Sequence, residues 1–128
     1  MILDSSAVVA ILLQEPGYEK LVAKLEPAEL VAIGVPSLVE VGIVLLARLG
    51  FNPTAQLAAF MMEYGVQRVP FTEAHWREAL DAYHRFGRGR HPARLNIGDC
   101  LSYASARVAG QPLLCVGEDL PQTDLALA

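Results

Sequence analysis

Four acidic residues stand where a solvated helix face would not put them. Asp4 directly follows the apolar "MIL", and Asp119 comes shortly after "LLCV". Glu40 lies between "SLV" and "VGIVLL", and Asp99 between "LNIG" and "CLSYA". By contrast Glu19, Glu26, Glu63, Glu73, Glu78 and Asp81 occupy amphipathic or polar segments that leave them in water. Each of the four has an ordinary structural reading by itself. Asp4 can cap a helix, Asp99 can complete a capping box with Asn96 three residues earlier, and Asp119 can sit in a turn. Glu40, with apolar neighbours on both sides, fits such a reading least. Taken together they repel one another, and unpaired buried carboxylates cost far more than a cap returns. A cation must sit among them. Oxygen ligands without His or Cys select Mg²⁺ or Mn²⁺ over zinc. A divalent ion there would acidify a water and offset charge on a phosphoryl oxygen, the chemistry of in-line phosphodiester hydrolysis.

A polyanionic substrate needs cations beside such a pocket. The net charge of −4, from 10 basic and 14 acidic residues, excludes a protein coated in positive charge. Yet between Ala82 and Gly98 the chain carries Arg85, Arg88, Arg90, Arg94, His84 and His91 and no acid. This segment runs straight into Asp99, so the four arginines are candidate contacts to the backbone of such a substrate.

The elements that must position these groups alternate. "MIL", "LVAIG", "VQRVPF" and "PLLCV" read as short buried strands. "DSSAVVAILLQE", "YEKLVAKLE", "VPSLVEVGIVLLARLG", "NPTAQLAAFMMEYG", "TEAHWREALDAYHRFG" and the run opened by Asn96 read as helices, with Pro36 early and Gly50 late in the third. The tail "GEDLPQTDLALA" has room for one more short strand. Strands alternating with helices predict a parallel sheet covered on both faces, with the ligand site outside the carboxyl ends of the strands. With 128 residues, 53% hydrophobic and 19% charged, and no repeat or long linker, a single domain over 1–128 is expected. The longest apolar run is cut by Arg48, too short for a membrane span, and no basic region precedes a hydrophobic leader, so a cytoplasmic location is expected. Cys100 and Cys115 lack metal-ligand spacing and read as buried thiols.

The pieces "MILDSSAVVAILLQEPG", "VPSLVEVGIVLLARLG", "GRGRHPARLNIGDCLSYASAR" and "LLCVGEDLPQTDL" together resemble a PIN-domain ribonuclease, and more narrowly a VapC-type toxin. The resemblance spans nearly the whole chain. It implies an α/β/α sandwich around a short parallel sheet, an acidic Mg²⁺ or Mn²⁺ pocket and endonucleolytic cleavage of RNA. Asp4, Glu40 and Asp99 match the three core acids, and Asp119 matches the fourth. Near that fourth acid the chain departs from the family, with Leu120 where an aromatic is frequent and Glu118 where Asp or Asn is, so Glu118 and Asp124 stand as alternatives. Ser6 matches a small hydroxyl position that assists the metal-water network, and Thr123 is a second candidate. The family also implies a homodimer and a cognate antitoxin laid along a hydrophobic groove. "AAFMMEY" and "VVAILL" offer more apolar residues than one helical stripe needs.

Two other classes compete. A catalytically silent module binding RNA or protein would gain nothing from a repulsive pocket. A phosphoaspartate receiver would need a second aspartate where Ser6 stands and a late lysine, whereas Lys20 and Lys24 are the only lysines. A Gly-rich phosphate loop ending in Lys-Ser/Thr is absent.

Overall fold

Strand β1 (Ile2–Leu3) lies at the centre of the molecule and pairs on both edges. The computed structural model describes residues 1–128. Around β1 are β2 (Ala32–Gly34), β3 (Gln67–Val69) and β4 (Leu113–Leu114), in the order β3-β2-β1-β4 and all parallel. The helices are α1 (Ser5–Leu12), α2 (Tyr18–Leu25), α3 (Val35–Leu49), α4 (Thr54–Glu63), α5 (Glu73–Phe86) and α6 (Ile97–Ala109). A single 3-10 turn covers Leu120–Gln122.

Alternation along each strand sorts its side chains to opposite faces, as a pleated backbone requires. Leu3, Ile33 and Leu114 enter a core with Val8 and Ile11 of α1, Leu25 of α2, Val41 and Leu45 of α3, and Phe60 and Met61 of α4. Ile2, Ala32 and Leu113 enter a second core with Ala82 and Phe86 of α5 and Cys100, Tyr103 and Ala106 of α6. The result is the expected three-layer α/β/α sandwich. Burying such side chains stabilises by roughly 1.5–3 kcal/mol each, which is why strands of two or three residues suffice.

The close fit of β2, α3 and α6 comes from small residues. A Cβ on Gly34 would lie 2.4 Å from Ser105 Oγ, so only glycine lets β2 end this near α6. Beside it the buried Ser37 and Ser102 hydroxyls share a hydrogen bond of 3.1 Å. Helix α1 stops at Leu12, earlier than its apolar run, because Gln14 takes a left-handed φ of 50°. The tail forms one isolated parallel bridge, Leu113 to Leu127, in place of a further strand.

Asp124 anchors that tail. It accepts hydrogen bonds of 2.8 Å from Arg85 Nη2 and 2.8 Å from the Tyr103 hydroxyl, and Arg107 stands 3.5 Å away. Burial alone would raise the Asp124 carboxyl, but these donors and the two guanidinium charges hold it below the ordinary carboxylate range. A lowered native pKa gives stability that is present above the unfolded value of about 3.9 and lost as pH falls through the native one. Asp124→Asn therefore lowers the melting temperature by a few degrees at neutral pH, and the difference narrows in thermal melts taken at successively lower pH below the ordinary carboxylate value.

Candidate active site

Four backbone features deliver the acids to one edge of the sheet. Asp4 follows β1 and caps α1, and Asp99 occupies the first turn of α6. Glu40 lies in the second turn of α3, directly after β2, and Asp119 precedes the 3-10 turn beyond β4. In a parallel sheet these are the carboxyl ends of the strands, and the amino ends of α1, α3 and α6 point there too.

Three of the four carboxylates, all but Asp119, are held by a nearby donor. Asp4 Oδ2 accepts from the Ser6 amide at 3.0 Å and from the Ser6 hydroxyl. Ser6 Oγ in turn accepts from the Val116 amide at 2.9 Å, tying α1 to the end of β4. Glu40 Oε1 accepts from the Ser5 hydroxyl. Asp99 and Asn96 form a reciprocal capping box, with both backbone-to-side-chain bonds at 2.9 Å. The Asn96–Asp99 capping box is the one expected from the sequence, whereas the service of Ser5 to Glu40 depends on α3 arriving beside α1. Gly98 is a second residue whose role the sequence conceals. A Cβ there would lie 2.1 Å from Glu40 Oε2, so glycine is the floor on which Glu40 rests.

The acids sense one another. Burial pushes the Asp99 carboxyl above its ordinary value, the Asn96 amide opposes that, and the charges of Asp4, Asp119 and Glu40 add to the rise. Burial, with nearby Asp99 charge, also raises Cys100 to about 11. Burial with Asp4 and Asp99 does the same for Cys115, again to about 11, so both free thiols stay protonated at neutral pH. None of the four acids forms an ion pair with a lysine or arginine. Nor do three of them converge on a single coordinating point, because their side chains turn to their own serine and asparagine partners. The donor set still fits a hard divalent cation: oxygen ligands only, crowded, negatively charged and uncompensated by protein.

The basic loop divides. Arg88 and Arg94 line a cavity of about 200 Å³ together with Asn96 and Asp119, next to the acids. The loop is closed by paired backbone bonds, Arg88 N to Leu95 O at 3.1 Å and Leu95 N to Phe86 O at 3.0 Å. Buried Ala93 and Leu95 clamp Arg94, which is held at a left-handed φ of 48°. Arg88, Arg90 and Arg94 form no ion pair. Arg85 is different: it is engaged by Asp81 at 3.3 Å and Asp124 at 2.8 Å, so its charge is spent inside the protein. Asp124 is correspondingly placed in the tail anchor and not among the acids. Thr123 Oγ1 donates to Leu120 O at 2.7 Å, stabilising its own turn. The Glu118 side chain is exposed and makes no hydrogen bond or ion pair, while Asp119 shares the acidic edge.

An open parallel sheet between helical layers, with four unpaired acids at its carboxyl edge, is the arrangement of a PIN domain, and a family model for the PIN domain matches residues 1–125. The VapC ribonuclease Mb2004c of Mycobacterium bovis is 43% identical over 126 residues, covering 98% of this chain and 91% of its own. The ribonuclease VapC of Mycolicibacterium smegmatis is 40% identical, with 98% of each chain covered. Among solved structures the fold is similar to the sarcin-ricin loop cleaving toxin VapC20 of Mycobacterium tuberculosis, with a TM-score of 0.78, 17% identity and coverage of 99% and 97%. It is also similar to a chain of a toxin–antitoxin complex from Klebsiella pneumoniae, at a TM-score of 0.71, 12% identity and coverage of 99% and 95%. The chain belongs to the PIN-domain family and, within it, to the VapC ribonucleases.

Gly98→Ala tests the positioning of Glu40. Because the added methyl meets the far end of a flexible side chain, the fold survives while Glu40 is displaced. RNA cleavage falls roughly a hundredfold, the cost expected of a catalytic group moved by about an ångström, with the circular dichroism spectrum unchanged.

Proposed function

We propose that this chain is the toxin of a toxin–antitoxin pair, a Mg²⁺- or Mn²⁺-dependent endoribonuclease acting in the cytoplasm as a one-domain homodimer. The observation that carries the reading is the unpaired acidic edge: Asp99 is raised by burial and by three neighbouring carboxylates, with no protein cation to relieve it. Helix amino ends offset at most about 2 kcal/mol each, and no lysine or arginine pairs with any of the four acids. A cation from solution is therefore required for the site to work.

Asp4, Glu40, Asp99 and Asp119 would hold the ion. When bound, it supplies charge neutralisation at the phosphate and makes a water more acidic. The protein's part is orientation. Ser6 holds Asp4 against the end of β4, Ser5 holds Glu40, and Asn96 holds Asp99, so the carboxylates are kept at one edge of the sheet, from which an ion would draw their oxygens together. Arg88 and Arg94, free of ion pairs and open to the cavity at Asp119, hold the phosphates on either side of the scissile bond. Arg90 lies further along the same loop. Arg85, exposed but paired with Asp81 and Asp124, ties α5 to the tail.

Two surfaces suit partners. Along α3, Val35, Val39, Ile43 and Leu46 leave a stripe of exposed apolar side chains at helical spacing, which favours a second copy. Between α1, α2 and α4, Ile11, Leu12, Val22, Ala59 and Phe60 line a groove of about 380 Å³, suited to an apolar antitoxin segment. The silent-module reading is disfavoured because it leaves the repulsion at the acids without a purpose.

Purified protein freed of antitoxin cuts cellular RNA with Mg²⁺ or Mn²⁺, and chelator stops it. Asp99→Asn abolishes cutting while its melting temperature holds or rises above about pH 4, where the replaced carboxylate would be charged. A folded protein that cuts under no metal would return the weight to the silent module. Arg94→Ala weakens RNA binding and reduces the slope of log K against log salt by about 0.7, the share of one phosphate contact on a single strand.

A further inference from the structure

Helix α5 presents a hollow of about 590 Å³ that the acids and the basic loop do not account for. Trp76 and Tyr83 stand on its wall, 48% and 41% exposed. They are seven residues apart, two helical turns, and so share one face at roughly 10 Å along the axis. Large aromatics left this bare are unusual on a surface that has no use for them. The Arg77 guanidinium lies over the Trp76 ring, 5.1 Å from its centre. His84 and Arg90 complete the cationic side of the wall. The one acid there, Asp81, already faces Arg85 at 3.3 Å.

Arg90 is the link to the rest of the molecule. It belongs to the loop whose Arg88 and Arg94 line the cavity at Asp119, so aromatic and cationic groups run without an intervening free acid from α5 to the acidic edge. Arg77 is paired with Glu73 at 2.8 Å, which leaves Arg90 as the arginine of this wall without an ion pair; aromatic faces beside such a cation are what a single strand of nucleic acid requires, planes on which bases stack whatever their identity and charge along the backbone. We propose that this hollow is a stacking subsite for single-stranded RNA flanking the scissile phosphate, an inference that rests on the nuclease reading above. Trp76 and Tyr83 carry the bases, and His84 and Arg90 the phosphates. The competing occupant is a second protein copy, because Trp76, Leu80 and Tyr83 also wall a neighbouring hollow of wholly apolar lining with Phe71 and Ile97. The cations favour RNA for the hollow that contains Arg90.

Trp76 is the only tryptophan in the chain, so its fluorescence reports on this place alone. The test titrates a short oligouridylate into full-length Asp99→Asn protein, following Trp76 emission with unlabelled RNA and anisotropy with an end-labelled copy. Saturable quenching that tracks the anisotropy, with both weakening as salt rises, is expected. In the active background, Trp76→Ala raises KM at least about fivefold, as loss of one stacked base requires, and leaves kcat little changed, while Trp76→Phe restores KM. Anisotropy that rises without any change in Trp76 emission, or no RNA binding at all, would overturn the subsite. So would emission that shifts with protein concentration alone, the mark of a second copy covering the ring. If Trp76→Ala does not fold, the quenching experiment still decides. The nuclease reading fails separately: protein that never cuts RNA yet shows quenching and anisotropy together retains the subsite and loses the catalytic assignment.

Discussion

Asp4, Glu40, Asp99 and Asp119 are gathered at one edge of the sheet by backbone whose own stability comes from apolar burial elsewhere, and their repulsion has to be borne by that backbone. The parallel order β3-β2-β1-β4 brings the ends of the strands and the starts of α1, α3 and α6 to the same side. Helix amino ends soften the repulsion and the serine and asparagine donors direct it, but neither cancels it. The edge is kept at a cost in stability. This is the usual exchange between function and stability at a preorganised electrostatic site.

The means of bearing the cost are distributed. Two separate cores press the sheet from both faces, so that even two-residue strands are fixed in register. Gly34 and Gly98 remove side chains where α6 must approach β2 and Glu40. On α5 and α6, Arg85, Tyr103, Arg107 and Asp124 form a compact polar cluster that ties the tail to the helical layer. That cluster places charges of both signs together and so differs in kind from the acidic edge. The same residue types serve stability in one place and chemistry in the other, according to whether a partner of opposite charge is present.

The surface is divided along similar lines. The loop from Gly87 to Leu95 is tied at both ends and carries its unpaired arginines toward the acids, while the exposed stripe of α3 carries no charge between Val35 and Val39. Membership among the VapC ribonucleases makes RNA the substrate class in whose context these surfaces stand. No helix is long and apolar enough to cross a membrane.

The alternation of strands and helices, the helix starts at Thr72 and Asn96, the stop at Gly50 and the four acids in apolar company were all legible in the chain, because each rests on local spacing and local hydrogen bonding. So was the activity class, since the segments around those acids carry the pattern of the family to which the chain belongs. What spacing could not decide is which side chains meet. Arg85 and Arg88 stand three residues apart and read alike, yet one turns inward to Asp124 and the other lines the cavity at Asp119. Asp119, Glu118 and Asp124 were equivalent as letters and are separated only by the turn that aims them. Ser5, Gly98 and Trp76 acquire meaning from contacts with residues distant in sequence or from a surface that only the packed helices create. Local interactions depend on neighbours along the chain and can be read there; a site depends on neighbours in space, and those are set by how two cores close around one sheet.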